Sequence, residues 1–299
     1  MFFRKALARA SVQEAIAGYF FGLPTIIIYL LFVIIPIVIT FSLSFTQYDI
    51  LSLPKFIGLQ NYSRILKDPR LLTVYLNTFL FTLMAVTGNV GLGLLIAMLL
   101  NRRIPNSFNY LFRFAYFIPV IISYVYVSVV WTAFYSRDTG IINYFLNRLG
   151  IESVGWISDS RIALLSIIVM DIWKNAGFFM VIFLAALQGI PSTYVEAARL
   201  DGCSGIKLFR HVIFPLLSPT VFFNIVWASI GALQVFDAVY ILTQGGPGDA
   251  TRSIVVYIYQ NAFQKFDLGS GSAISITLFL IINALTLIQF RIGKRWVHY

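Results

Sequence analysis

The chain has 299 residues, 59% hydrophobic and only 11% charged, with a net charge of +10 and a mean hydropathy of +0.83. Soluble domains carry roughly 25% charged residues, so there is too little polar surface here to cover a globule in water. The positive charge sits in short connections between apolar runs, which argues against a nucleic-acid binder, and one cysteine, Cys203, excludes an internal disulfide framework.

Crossing a bilayer takes about 20 apolar residues. Six segments meet that length: Phe20–Leu43, Thr73–Leu100, Leu111–Tyr135, Ile162–Gln188, Leu216–Leu242 and Ser272–Phe290. The expectation is an all-α polytopic membrane protein with six transmembrane helices, forming one transmembrane domain over 1–299 without linker, repeat or low-complexity segment. The first segment follows Arg4, Lys5 and Arg9, as a signal peptide would. It is longer than a signal h-region and lacks a small-residue cleavage pattern, so it is expected to be retained. Pro24, Pro36 and Pro119 lie in or near spans, where kinks are expected. Gly88, Gly91 and Gly93 suggest close helix packing, and Asn89 and Asn283 suggest interhelical hydrogen bonds.

Lysine and arginine counts orient such a chain. Arg4, Lys5, Arg9, Arg102, Arg103, Arg113, Arg199, Lys207, Arg210, Arg291, Lys294 and Arg295 fall on one side, with only Glu14, Glu196 and Asp201 as acids. The other side balances nine bases against seven acids. The basic side is read as the cytoplasm, with both termini inside. Opposite it lie three longer segments, about 44–72, 136–161 and 243–271. The first predicts a short helix ending near Lys67, and Gly245-Gly246-Pro247-Gly248 in the third predicts a turn.

The cytoplasmic connection 191–215 reads as two short helices around a glycine bend. Thr193 and Glu196 have capping-box spacing, Gly202 suits a left-handed stop, Ser204 is placed to cap the second helix, and Pro215 to open the fifth span. An elbow exposing alanines, rimmed by Glu196 and Arg199, is either a close-fitting knob for a partner or an ordinary interfacial loop. Here the sequence resembles the EAA loop of binding-protein-dependent ABC importer permeases. That pattern is Glu-Ala-Ala, three residues, Gly, nine residues, Ile-x-Leu-Pro. This chain has Glu196-Ala197-Ala198, Gly202 and Val212-Ile213-Phe214-Pro215, with valine and phenylalanine as mild departures. The likeness continues through Phe56-Ile57-Gly58-Leu59-Gln60-Asn61-Tyr62, Asn77-Thr78, Asp171-x-Trp173, Leu184-Ala185-Ala186-Leu187-Gln188-x-Ile190-Pro191, Thr243-Gln244-Gly245-Gly246-Pro247 and Tyr257-x-Tyr259-x-x-Ala262-Phe263. These look like the carbohydrate-uptake branch, specifically the first, maltose- and glycerol-3-phosphate-type permease subunit.

The resemblance implies a six-helix permease in the plasma (inner) membrane of a bacterium or archaeon. It implies a second permease subunit, two nucleotide-binding ATPase subunits, an extracytoplasmic solute-binding protein and a sugar substrate, in contact with lipid and not with nucleic acid. Glu196, Ala197, Ala198 and Gly202 inherit the coupling to the ATPase. No Gly-x-x-x-x-Gly-Lys-Ser/Thr loop is present, so ATP and magnesium are expected on the partner, with no cofactor, metal or catalytic residue in this chain. By motif distance the substrate site falls at Asp171, Trp173, Lys174, Asn175, Phe178, Ala228, Gly231, Ala232 and Val235.

Intramembrane charges are rare and face a bundle interior or a water path. Asp171 and Lys174, at i,i+3, share a face and can pair, stapling helices, or Lys174 can meet an acidic sugar. Trp173, Asn175 and Asp171 supply an aromatic face and hydrogen-bonding groups suited to a sugar. Asn224, Trp227, Gln234 and Asp237 are their fifth-span counterparts. A secondary carrier would need a longer ionisable relay. An amino-acid or peptide permease is opposed by the Gly-Gly-Pro loop, and an intramembrane enzyme by the absence of any serine–histidine or paired-carboxylate constellation in the spans.

Overall fold

The structure is a computed structural model that describes residues 17–102 and 105–297. Arg4, Lys5, Arg9, Glu14, Arg103 and His298 lie outside these residues. Lipid offers no hydrogen bonds, so a spanning backbone must satisfy itself as helix, and each apolar run is helical. In chain order the helices are α1 Ala17–Leu43, α2 Gln60–Lys67, α3 Pro69–Leu100, α4 Asn106–Ile121, α5 Tyr124–Phe134, α6 Ile141–Arg148, α7 Ala163–Gln188, α8 Ser192–Leu200, α9 Gly205–Leu233, α10 Asp237–Leu242, α11 Ile254–Tyr259 and α12 Leu268–Gly293. A two-residue antiparallel ladder pairs Thr46–Gln47 with Lys55–Phe56.

Two compact units are distinguished. One comprises residues through Ile65 together with Asn261–Ile276. In it, the predicted short helix is α2, and its fully buried Asn61 donates to the carbonyls of Ser44 (3.0 Å) and Thr46 (2.8 Å). No residue of helix α1 is buried, as suits a helix facing lipid or another subunit.

The other unit comprises Leu66–Gln260 with the residues from Thr277 on. Its spine is the α3–α7 pair. Asp68 caps α3 by accepting from the Arg70 amide at 2.9 Å, with Pro69 at the first helical position. The far end is closed by Asn109, whose amide donates to the Leu100 carbonyl at 2.9 Å. Where α7 begins, Arg161 pairs with Asp159 and holds its carboxyl below the usual range. Gly88 lies against Ile172 and Gly93 against Phe179, so α3 and α7 run parallel. Gly91, expected to pack with them, meets nothing within 4 Å. Asn283 bonds the carbonyl of Phe279 in its own helix and links no neighbour. Asn89 does bridge helices, donating to Asp171 at 3.0 Å.

Two spans differ from expectation. The third is broken: α4 and α5 meet at about 100° around Ile122–Ser123. Because α3 and α7 are parallel, the chain must cross the bilayer between them, so the pair is one broken span and not a re-entrant loop. Tyr116 lies beside Gly177, Tyr124 on Asp171, and Tyr135 on the Ser166 carbonyl (2.7 Å), tracing an antiparallel course along α7. The fifth span begins earlier, at Gly205, through a wide helical turn at Phe209–Ile213, and stops at Leu233 instead of 242. After the break, α10 completes it. The carbonyl of Val235, freed there, accepts from the Ser253 hydroxyl at 2.7 Å, and Ser253 Oγ in turn caps α11 by accepting from Val256 N.

The Gly-Gly-Pro turn is tied to α3. Asn77 donates to the carbonyls of Asp249 (2.7 Å) and Arg252 (3.3 Å), the Thr78 hydroxyl accepts from Ile254 N (2.9 Å), and Arg252 pairs with Asp249. Losing such bonds costs about 1 kcal/mol. Asn77→Ala is therefore expected to raise amide exchange at residues 249–252 roughly fivefold, read by hydrogen–deuterium exchange; unchanged rates would mean Asn77 does not hold this loop.

Candidate functional site: a cavity at two helix breaks

The α3–α7 spine carries two apolar clusters. One gathers Phe81, Ala85, Val127, Ile167, Met170, Val235 and Val239; the other gathers Val90, Phe179, Phe183, Leu217, Val221 and Ala228. Between them lies a cavity of about 360 Å³. Both helix breaks reach it. Val120 and Tyr124 flank the first, and Gln234, Val235, Phe236 and Asp237 form the second. Irregular backbone at membrane depth is tolerated where it lines a cavity, and discontinuous helices commonly build transporter sites.

Asp171 is buried in one wall. Tyr124 donates to its Oδ1 at 2.6 Å, Asn175 to the same oxygen at 3.0 Å, and Asn89 to Oδ2 at 3.0 Å. Asn175 also donates to the Tyr124 hydroxyl. A buried carboxylate needs such partners, because desolvation without them costs several kcal/mol. The expected Asp171–Lys174 pairing is not what the structure shows. Lys174, equally buried, points its ammonium at the carbonyls of Pro119 (3.4 Å) and Val120 (3.3 Å) and over the Tyr124 ring at 4.3 Å. The cause is the break itself: helix α4 ends with unsatisfied carbonyls, a negative helix terminus that attracts a cation.

Of the nine positions expected at the substrate site, the cavity gathers Asp171, Asn175, Phe178, Ala228, Gly231, Ala232 and Val235. Lys174 is turned away to α4, and half-exposed Trp173 packs on Trp131 with ring centroids 5.6 Å apart. Helical periodicity accounts for Trp173: residues 171, 175 and 178 share one face, and 173 falls on another. Sequence reasoning missed Tyr124, Phe81, Val120, Phe179, Phe236 and Ala238. Of these only Tyr124 bears hydrogen-bonding chemistry, and its contact with Asp171 spans 47 residues of sequence. Trp227, singled out beforehand, stacks on Phe178 at 6.2 Å and lines the cavity with Gln234 and Asp237. Asn224 is fully buried in α9, away from the cavity lining, with its amide unpartnered.

The second candidate region is the elbow. Helix α8 ends in a two-bond glycine cap: Gly202 N donates to Arg199 O (3.0 Å) and Cys203 N to Ala198 O (2.8 Å), with Gly202 at φ +81°. The expected Thr193–Glu196 capping box does not form. The helix starts at Ser192, so Thr193 lies inside it, and no side chain caps it. Ser204 takes the capping position of the next helix without a side-chain bond. Glu196, Ala197 and Gly202 are exposed; Ala198 is buried inside the elbow, so one alanine is presented where two were expected. Leu200 (89% exposed) and Ile206 (82%) form an apolar rim.

Residues 89–298 match the family described as "Binding-protein-dependent transport system inner membrane component". The chain is 36% identical over 297 residues to the probable ABC transporter permease protein YesP of Bacillus subtilis, covering 98% of this chain and 95% of that one. It is 33% identical to the trehalose/maltose transport system permease protein MalF of Thermococcus litoralis, covering 96% and 97%. Its fold resembles a chain of a bacterial ABC transporter involved in import of the acidic polysaccharide alginate, with a TM-score of 0.84 at 22% identity over 99% of both chains. The chain belongs to the binding-protein-dependent transport system inner membrane component family, as a multi-pass transport subunit of an ABC importer.

Proposed function

We propose that this subunit forms half of the path for a sugar or oligosaccharide delivered by an extracytoplasmic binding protein. The observation that carries the reading is the cavity, where an aromatic stack of Phe178 and Trp227 faces amides and carboxylates across two broken helices. Aromatic faces take the apolar face of a sugar ring and fixed polar groups take its hydroxyls. The sugar permeases among the relatives favour the same reading. The exposed face at Gly231, Gln234 and Asp237 leaves the cavity open on one side, where a second permease subunit completes it. The whole chain then acts as one permease domain with both termini in the cytoplasm, following its basic loops.

The elbow is the seat of a separate ATPase, which binds ATP and magnesium and exists in two copies. Glu196, Ala197 and Gly202 offer a small exposed surface rimmed by Leu200 and Ile206, and buried Ala198 fixes its shape. Gly202→Asp places a side chain at φ +81°, a strained conformation costing about 1–2 kcal/mol, and adds charge to the dock. The expected result is loss of ATP-driven uptake and of the co-purifying ATPase while the permease keeps its membrane level. A chain that purifies alone and moves solute in vesicles without ATP would overturn the reading.

A further inference from the structure

The cavity is electrostatically one-sided. Among the described residues its lining carries two carboxylates, Asp171 and Asp237, and no lysine, arginine or histidine. Lys174, the one cation nearby in sequence, spends its charge on the α4 carbonyls and the Tyr124 ring and does not line the cavity. The donors around Asp171 are also committed, since Tyr124, Asn89 and Asn175 all point hydrogens at that carboxylate. Trp227 and Gln234, which also line the cavity, bring side-chain N–H donors to a solute. The Asp237 carboxylate stands exposed at the open side of the cavity as an acceptor, whereas Asn89 Oδ1 is buried.

We infer that the cavity selects uncharged, hydroxyl-rich saccharides, whose O–H groups donate to the Asp237 carboxylate, and rejects saccharides bearing uronate, sulfonate or phosphate groups. This rests on the saccharide reading above and narrows it by charge. An anion here would meet like charges with no cation from this chain to offset them, a juxtaposition that costs several kcal/mol in protein interfaces and therefore discriminates strongly.

The test uses the purified transporter with its partner subunits, following tryptophan fluorescence as trisaccharides of matched length are added. Neutral gluco-, galacto-, xylo- and arabino-trisaccharides are compared with trigalacturonate and an alginate trimer. The expected result is saturable quenching by at least one neutral sugar, with both acidic ones at least about tenfold weaker. Asp237→Asn should narrow that gap and Asp237→Lys should reverse it. An acidic trimer that binds as tightly as the best neutral one, or an Asp237→Lys variant with unchanged uronate affinity, overturns the inference and leaves the saccharide reading standing. If no saccharide binds, the saccharide reading itself fails and the inference falls with it.

Discussion

Replacing Lys174 with methionine is expected to cut solute-stimulated ATP hydrolysis about tenfold or more in the assembled transporter. Lys174 is 4% exposed, and its ammonium lies on the carbonyls that the α4 break leaves open at Pro119 and Val120. Methionine has the volume but no donor. Each buried polar group left unsatisfied costs about 1–3 kcal/mol, and about 1.4 kcal/mol is tenfold in a rate or population. Asp171 also loses the nearest positive charge, three residues away on its own helix. Arginine at 174 keeps charge and donors and is expected to retain part of the activity. The decisive comparison is Lys174→Met against Lys174→Arg: equal activity in both would mean that the helix break does not depend on a cation there.

Gly177→Leu should abolish assembly. A Cβ at this position would overlap the Tyr116 carbonyl oxygen, with the carbonyl carbon at 2.8 Å. Backbone cannot swing aside as a side chain can, so α4 and α7 must separate. Between membrane helices, where lipid tails are as apolar as leucine, packing and hydrogen bonds of about 1 kcal/mol each do most of the holding, too little to absorb that displacement. Overpacking costs roughly 1–3 kcal/mol where neighbours can adjust, and these cannot. Gly91 is the control, because nothing lies within 4 Å of its added Cβ. Size-exclusion profiles and melting curves should therefore leave Gly91→Leu near wild type and show Gly177→Leu aggregated or absent. Matching behaviour in the two variants would refute the α4–α7 contact.

The six spans were legible because twenty apolar residues in a row have few alternatives to a membrane helix. Their interruptions were not, for hydropathy stays high through Ile121-Ile122-Ser123 and through Leu233-Gln234-Val235. Pro119 signalled a kink three residues before the first break, but no local residue foretells a 100° turn, which depends on Lys174 arriving from another helix to take the freed carbonyls. The same absence of partners explains the misread pair. On an isolated helix, Asp171 and Lys174 have chiefly each other; in the bundle, Asn89 and Tyr124 supply donors to one and a broken helix supplies acceptors to the other. The elbow was readable from glycine chemistry, with Gly202 at φ +81°. Its helix start was not, because Pro191 leads into the helix and moves it upstream of the Thr193 that spacing alone had chosen as cap. Trp173 lies off the face shared by 171, 175 and 178, a placement that helical periodicity already implies.

The tie between α3 and the loop after Gly-Gly-Pro has a mechanical reading. Asn77 and Thr78 fasten that loop to the helix, and Asn89 on the same helix holds the carboxylate of Asp171. Twelve residues separate Asn77 from Asn89, which at 1.5 Å per residue is about 18 Å of rigid rod. A load placed on the loop is borne at the far end of that rod by the Asn89–Asp171 bond, and through Tyr124 by the α4–α5 joint. Whatever docks on the loop therefore has a lever arm ending in the cavity.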